Sequence, residues 1–234
     1  MSEWWTYSLR DLLLFSPQTY YRLFELHNSA WWPLPIFTVA LGVALLVLGW
    51  RGGDRAGRVI AVMLALAWLW IAWGFHAQRY ASINLAAKYF AWAFAAQGLL
   101  LLAWGVMGGR LKSLKSRSVQ TRFGLGLLLF ALFGTPLLGP LLGRNLAQAE
   151  VFGMAPDPTA LATLGVLLLA HGRHTYVLYP IPLAWCLISG ATLWAMDAPD
   201  FAIMPIAALL AVGAAVGEAL MRRSPYRASD RKCK

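Results

Sequence analysis

Residues 31–75 read WWPLPIFTVALGVALLVLGW (31–50), RGGDRAGR (51–58) and VIAVMLALAWLWIAWGF (59–75). Each apolar stretch has the length of a transmembrane helix, which spans about 17–25 residues. The turn between them carries three arginines, and basic turns beside such helices stay in the cytoplasm. These 45 residues therefore predict two transmembrane helices that are joined inside the cell.

The same pattern extends over the whole chain of 234 residues, of which 59% are hydrophobic and 13% are charged. Soluble domains carry about a quarter charged residues, so hydrocarbon is the expected solvent here. We expect one all-α bundle of seven transmembrane helices over residues 31–220. The seven apolar stretches are 31–50, 59–75, 89–107, 123–143, 159–170, 176–196 and 201–220.

The charges between these stretches predict an orientation. With the N-terminus outside and the C-terminus in the cytoplasm, 15 of the 20 Lys and Arg residues lie on the cytoplasmic side and seven of the ten acids lie outside. This is the positive-inside pattern. We expect the basic loops and the basic tail at 221–234 to meet anionic lipid head groups. Because the positive charge sits beside apolar stretches, we do not expect nucleic acid as a partner.

The fifth stretch, 159–170, is short for a membrane crossing. If it formed a re-entrant loop, the two following stretches would invert and the basic tail would lie outside. The charge bias disfavours that arrangement. We therefore keep seven crossings. The fifth stretch either begins earlier, near Phe152, or leans against neighbouring helices rather than lipid.

Residues 1–30 are aromatic, amphipathic and too polar to cross a bilayer. Ser16 followed by Pro17 is typical of a helix start, where serine caps the first turn and proline occupies the first helical position. Aromatic side chains favour the head-group region. We predict that this segment lies on the outer membrane surface.

Two stretches contain prolines that could break their helices. Pro136 lies in the fourth stretch, and Pro180 and Pro182 lie in the sixth. Broken helices line binding sites in transporters, so these prolines are candidate gating kinks. Proline is also common in membrane helices without any such role. In the seventh stretch, the small-residue face at Gly213 and Gly217 favours close helix packing, within the chain or between two copies.

A polar stripe follows the second apolar stretch. His76, Tyr80, Asn84 and Lys88 are spaced by four, and Arg79 lies beside them. On a helix they would share one face. We predict that they bind an anion, a lipid head group or a small polar substrate, unless they form only a solvated helix end.

Glu218 is the acid nearest to the interior of a predicted helix, close to the cytoplasmic end of the seventh stretch. Acids within membrane helices are costly and often functional. Glu218 is a candidate for proton or ion coupling. Alternatively, it reaches water or pairs with Arg222 one turn further on.

The sequence carries no motif for metal, cofactor or covalent catalysis. His76 and His171 are predicted on opposite membrane faces, which disfavours a bis-histidine haem inside the bundle, unless His27 folds in from the surface. The seventh stretch has no lysine for a retinal Schiff base. Clustered His and Cys for zinc or copper are not seen, nor is a phosphate loop, HExxH or a nucleophile elbow. We therefore predict no metal and no cofactor.

Aromatic and proline patterns recur near both ends of the chain. They are Trp4-Trp5-Thr6-Tyr7, the run from Leu12 to Pro17, Thr19 to Arg22, Tyr179-Pro180-Ile181-Pro182, Trp185 and Ser189-Gly190. These patterns resemble an uncharacterised family of bacterial multi-pass membrane proteins, the domain-of-unknown-function 6064 family. The resemblance covers nearly the whole chain and implies a bacterial inner-membrane location. It brings no activity and no functional residue.

These observations predict a small, non-catalytic integral membrane protein. It is either an accessory subunit of a membrane assembly, partnered by another membrane protein or a second copy, or a carrier for a small solute. The carrier would bind solute at the polar stripe and use the kinks at Pro136 and Pro180 as gates. The alternative is a membrane enzyme acting on a lipid or quinone, with His76 or Glu218 as proton shuttle.

Overall fold

The computed structural model describes residues 15–109, 111, 118–170 and 173–223. Within these ranges the chain forms eight helices and no strand. The helices are α1 (Pro17–Ala30), α2 (Leu34–Arg51), α3 (Asp54–Trp70, continued by the π-helix Ile71–Ala77), α4 (Ala87–Leu100, continued by the π-helix Leu101–Met107), α5 (Val119–Leu129, continued through Phe130–Gly134 and Thr135–Leu141), α6 (Pro156–Leu169), α7 (Pro180–Ala195) and α8 (Ile203–Arg223).

Six of these helices, α2, α3, α4, α5, α7 and α8, are long and apolar enough to cross a membrane. They match six of the seven predicted stretches, which confirms an all-α, multi-pass membrane protein. The remaining predicted stretch, the fifth, corresponds to α6, which has only 14 residues. At a rise of 1.5 Å per residue it is about 21 Å long, which is shorter than the hydrocarbon core of about 30 Å.

Helix α6 forms the centre of the bundle, and all of its residues are buried. It packs against α3, α5, α7 and α8. The closest approach is to α5, where a Cβ atom on Gly124 would lie 2.8 Å from the carbonyl oxygen of Gly165, and a Cβ on Gly165 would lie 2.8 Å from that of Gly124. Glycine at both positions lets the two backbones touch, as small residues do in membrane helix pairs.

Helix α1 begins as predicted, because the Ser16 side chain accepts a hydrogen bond from the Thr19 backbone N–H at 3.2 Å. Its buried face consists of Tyr20, Leu23, Phe24 and His27. This face packs on the bundle, with the Phe24 ring stacked 5.0 Å from the Phe75 ring. The rest of the predicted surface segment, 1–14, lies outside the described residues.

The connections fall into two groups at opposite ends of the bundle. At the α1 end, the Asn28 side-chain amide donates to the backbone oxygens of Ala147 and Ala149 at 3.0 and 2.9 Å. At the opposite end, Gly57 lies against the backbone of Leu111, whose oxygen a Cβ would meet at 1.7 Å. Each of these contacts joins segments that are predicted on the same side of the membrane. Most of the predicted basic loop and tail lie outside the described residues.

The three prolines have different settings. Pro136 lies two residues after the end of the π-helical stretch Phe130–Gly134, inside a helix that continues to Leu141. Pro180 and Pro182 instead lie in the first turn of α7, after the 3-10 segment Arg173–Leu178. Proline is tolerated in a first turn because no intrahelical hydrogen bond is lost there. Of the predicted kinks, only Pro136 is therefore inside a helix.

Candidate functional site

Asp157 is a buried carboxylate in the first turn of α6, with 6% of its surface exposed. Both of its oxygens accept hydrogen bonds from α7. The Trp185 indole N–H donates to Oδ1 at 2.7 Å, and the Ser189 hydroxyl donates to Oδ2 at 2.6 Å. Trp185 and Ser189 are four residues apart and so share one face of α7. Helix packing therefore creates this site from two segments.

The start of α6 suits a carboxylate. Pro156 occupies the beginning of the helix, where its missing N–H costs nothing. The free N–H groups of a first turn carry partial positive charge, which stabilises an acid such as Asp157. Asp157 lies at some depth in the bundle. Its partner Ser189 is six residues before the end of α7, which corresponds to about 9 Å along the helix axis.

A second polar group joins helix α1 to two connecting segments at the same end of the bundle. The Arg144 guanidinium donates to Oδ2 of Asp200 at 2.7 Å, lies 3.9 Å from a Glu150 carboxylate oxygen, and covers the Tyr21 ring at 4.2 Å from its centre. Asp200 is 8% exposed. Its other oxygen, Oδ1, has no hydrogen-bond partner among the described residues.

Burial dominates the electrostatics of this second group. It raises the pKa of the Glu150 carboxyl well above its ordinary value, and the nearby charge of Asp157 adds to the effect while Arg144 opposes it. Burial also raises the pKa of the Tyr21 phenol to about 12, again against the influence of Arg144. Desolvation disfavours the charged form of both groups.

A small cavity of about 20 Å³ lies between the two polar groups. That is room for roughly one water molecule. Three carboxylates and one hydroxyl contribute to its wall. The lining residues are Thr135, Leu138, Glu150, Asp157, Leu193, Asp200, Ile203 and Met204.

A larger, open cavity of about 720 Å³ lies at the surface of the α1 end, and we call it the vestibule. Arg144 lines the vestibule, and its ion-pair partner Asp200 lines the small cavity. The Arg144–Asp200 pair therefore stands between the two spaces. The vestibule is lined by Pro17, Gln18, Thr19, Tyr21, Arg22, Gly143, Arg144, Asn145 and Gln148.

The predicted polar stripe is only partly assembled. His76 and Tyr80 are both buried, with ring centres 6.0 Å apart, and the Asn84 backbone N–H donates to the Tyr80 backbone oxygen at 3.0 Å. Arg79 is half-buried and Lys88 is exposed. The chain leaves the helix at Ala77, so the five residues do not follow one helical face.

His76 lies in an aromatic enclosure rather than at a solvated surface. It is fully buried, and neither ring nitrogen has a hydrogen-bond partner among the described residues. The nearest rings are those of Phe94 at 4.4 Å and Trp185 at 5.0 Å. Since Trp185 also donates to Asp157, one indole joins the predicted histidine to the buried carboxylate.

His27 on α1 is a second buried histidine near this enclosure, with its ring 5.7 Å from that of Phe75. Its nitrogens also have no partner among the described residues. Burial, together with a smaller effect of the charge of Arg79, lowers the pKa of His27 to about 4. His27 is therefore neutral at neutral pH.

Glu218 lies apart from these groups. It is half-buried on α8, 15 residues beyond Ile203 and thus about 22 Å further along the helix. The side chain of its predicted partner Arg222 lies outside the described residues. Across the ranges that the structure describes, no three His, Cys, Asp or Glu side chains are grouped closely enough to hold a metal ion.

Sequence reasoning missed Asp157, Arg144 and Asp200. One signal could have found Asp157: it lies two residues before the predicted fifth stretch, and an earlier start near Phe152 would have placed it inside a helix. Trp185 and Ser189 were noticed only as part of a resemblance.

Six helices of membrane-crossing length around a buried polar centre define a multi-pass, all-α membrane protein. A family model described as a family of unknown function (DUF6064) matches residues 17–225, and the chain belongs to this family. The resemblance drawn from the aromatic and proline patterns is thereby confirmed. No curated protein and no solved structure matches the chain. Any function must therefore be argued from the site itself.

Proposed function

We propose that this protein is a carrier for a small solute, with its central site at Asp157. The observation that carries the proposal is a buried carboxylate at the start of a short helix in the middle of the bundle. Transporters often build their sites from helices that end inside the protein, with the helix terminus facing the ligand. An acid in a membrane bundle is costly, at about 2.5–3.5 kcal/mol, and so favours a functional role.

The proposal includes a membrane arrangement. Helix α6 is the seventh crossing element and is shielded by protein instead of lipid. The protein lies in the bacterial inner membrane, with α1 on the periplasmic surface and the C-terminus in the cytoplasm. The positive-inside pattern supports this orientation. The contacts between connections support the assignment of each group to one side of the membrane.

The two cavities suggest a route for the solute. The vestibule is open, the Arg144–Asp200 pair separates it from the small cavity, and Asp157 forms part of the inner wall. Thr135 and Leu138 line the small cavity on either side of Pro136, so the predicted gate at Pro136 lies beside it. Of the predicted substrate residues, His76 contacts Trp185, with ring centres 5.0 Å apart, and Trp185 in turn donates to Asp157.

The test is solute-dependent thermal stabilisation of the purified protein in detergent. The panel contains amino acids, hexoses, short carboxylic acids and polyamines. We expect one class to raise the melting temperature of the wild type, and uptake of that class into proteoliposomes. Asp157→Asn should abolish both effects. Asp197→Asn is the matched control, because Asp197 is exposed and its positive φ of 55° suits asparagine.

A second candidate, an accessory subunit or a homo-oligomer, is favoured by the small-residue face of α8. A Cβ atom on Gly213 or Gly217 would meet no atom of the described residues within 4 Å. The described part of the chain therefore leaves this face open, and close helix pairing with another chain fits it.

Native mass spectrometry in mild detergent distinguishes the two candidates. A dimer or a bound partner protein that is lost in Gly213→Ile and Gly217→Ile supports the accessory role. A monomer that responds to a solute, with both glycine variants unaffected, supports the carrier alone.

A further inference from the structure

We propose that the small cavity beside Asp157 is a binding site for one monovalent cation of about the size of sodium. This inference deepens the proposed function and rests on it only for the role of the ion in coupling. The occupancy of the site can be tested without any transport.

The charges around the cavity are unbalanced. Glu150, Asp157 and Asp200 line it, whereas Arg144 is the cation that contacts this group among the described residues. Buried charges are stable when they are paired. The raised pKa of Glu150 favours its neutral form, which leaves the carboxylates of Asp157 and Asp200 against the single Arg144. A bound cation supplies the missing positive charge.

The oxygen atoms show where the ion would bind. Both oxygens of Asp157 already accept hydrogen bonds, and Oδ2 of Asp200 accepts one from Arg144. Oδ1 of Asp200 has no partner, although the residue is more than nine-tenths buried and lines the cavity. Native structures rarely leave a buried carboxylate oxygen unsatisfied, and each such atom needs an explanation.

The neighbouring hydroxyl suits the same ligand. The Thr135 hydroxyl donates its hydrogen to the Ala131 backbone oxygen at 2.9 Å. Its own lone pairs are then free to face a cation. Hydroxyl, carbonyl and carboxylate oxygens are the ligands that alkali and alkaline-earth cations prefer.

The size and spacing of the site favour a monovalent ion. A cavity of about 20 Å³ holds one particle of the size of water. No three His, Cys, Asp or Glu side chains in the described ranges lie close enough to hold a metal ion together. A tightly chelated divalent ion is therefore disfavoured, whereas a single, weakly held cation fits.

The experiment compares thermal denaturation of the detergent-purified protein in sodium, potassium and choline chloride at equal ionic strength. We expect sodium to raise the melting temperature of the wild type saturably by several degrees and choline to have no effect. Asp200→Asn should remove the sodium shift while keeping an oxygen for Arg144. Asp197→Asn, on the same connection, should retain it.

A direct measurement accompanies the melting curves, because a variant could simply fail to fold. Binding of radioactive sodium to the wild type and to Asp197→Asn should be saturable, and Asp200→Asn should weaken it by at least tenfold. Absence of bound sodium in the wild type, or an equal sodium shift in Asp200→Asn, would overturn the site. Stabilisation by lower pH but not by sodium would also overturn it, in favour of a proton.

These outcomes separate the site from the carrier. If sodium binds at the cavity but no solute stabilises the protein or enters proteoliposomes, the cation site stands and the proposed function fails. If a solute is carried without any effect of sodium, the proposed function stands and the cation site fails.

Discussion

Helices α6 and α8 are built from similar apolar residues but lie in different surroundings. Helix α8 has 21 residues, and many of its large side chains face outward, such as Leu209 at 70% exposed and Leu220 at 61%. Helix α6 has 14 residues and exposes none of them. Without a lipid contact, α6 need not match the thickness of the bilayer.

The surroundings also determine which residues each helix tolerates. Helix α6 carries Asp157, Thr163 and Gly165, and neighbouring helices provide a hydrogen-bond partner or a close backbone contact for each. Lipid could provide neither. An apolar helix that contains such residues and is too short to cross is therefore typical of a bundle centre.

The substitution with the largest expected effect removes the acid from α6. In Asp157→Ala, the Trp185 indole and the Ser189 hydroxyl both lose their acceptor inside the protein. We expect a loss of about 2–4 kcal/mol in the free energy of unfolding, since each unsatisfied buried donor costs about 1–3 kcal/mol. Denaturation in mixed micelles measures the loss. Asp157→Asn retains one acceptor oxygen and should lose less; an equal loss in both variants would contradict this account.

The next change tests the backbone contact between α5 and α6. In Gly124→Ala, the new methyl group would lie 2.8 Å from the Gly165 carbonyl oxygen, so the helices must separate. Overpacking of this kind costs about 1–3 kcal/mol. Gly126→Ala on the same helix is the control, because its Cβ would meet nothing within 4 Å of the described residues. Melting temperatures should fall only for Gly124→Ala.

A smaller loss is expected from the hydroxyl in the middle of α6. Thr163 accepts a hydrogen bond from the Trp68 indole at 2.8 Å, with both residues buried. Thr163→Val keeps the shape but leaves the indole N–H unpaired, at a cost of about 1–2 kcal/mol. Trp68→Phe combined with Thr163→Val should recover part of the loss in a double-mutant cycle. Strict additivity of the two single changes would show that this bond is not coupled.

The smallest effect is expected on α8. Gly213→Ala adds a methyl group where no described atom lies within 4 Å, so the unfolding free energy should change by no more than about 0.5 kcal/mol. Thermal denaturation of the monomer checks this expectation. A loss as large as that of Gly124→Ala would mean that α8 is as closely packed as α6.

The sequence predicted the helical class and six helices of crossing length, because hydrocarbon imposes a length and a composition that single stretches display. The family followed from local aromatic and proline patterns. It also grouped His76 with Tyr80, whose ring centres lie 6.0 Å apart, while their role in binding a substrate stays a prediction. Asp157 could not be matched to its partners in this way. Trp185 and Ser189 lie 28 and 32 residues away, and only helix packing brings them together.

The same limit applies to the Arg144–Asp200 pair, which separates the vestibule from the small cavity. Arg144 and Asp200 were counted only as charges outside the membrane, and 56 residues separate them. Neither apolar pattern nor loop charge indicates which arginine meets which acid. The open glycine face of α8 is a further example, since the glycine spacing left packing within the chain and pairing between chains as alternatives.

The brevity of α6 has a consequence for biogenesis. During synthesis, a 14-residue segment with an acid in its first turn partitions poorly into lipid by itself. Its stable location exists only after α5 has been inserted and while α7 and α8 are arriving to enclose it. We therefore expect the bundle to assemble in a defined order, with its innermost helix among the last to reach its final position.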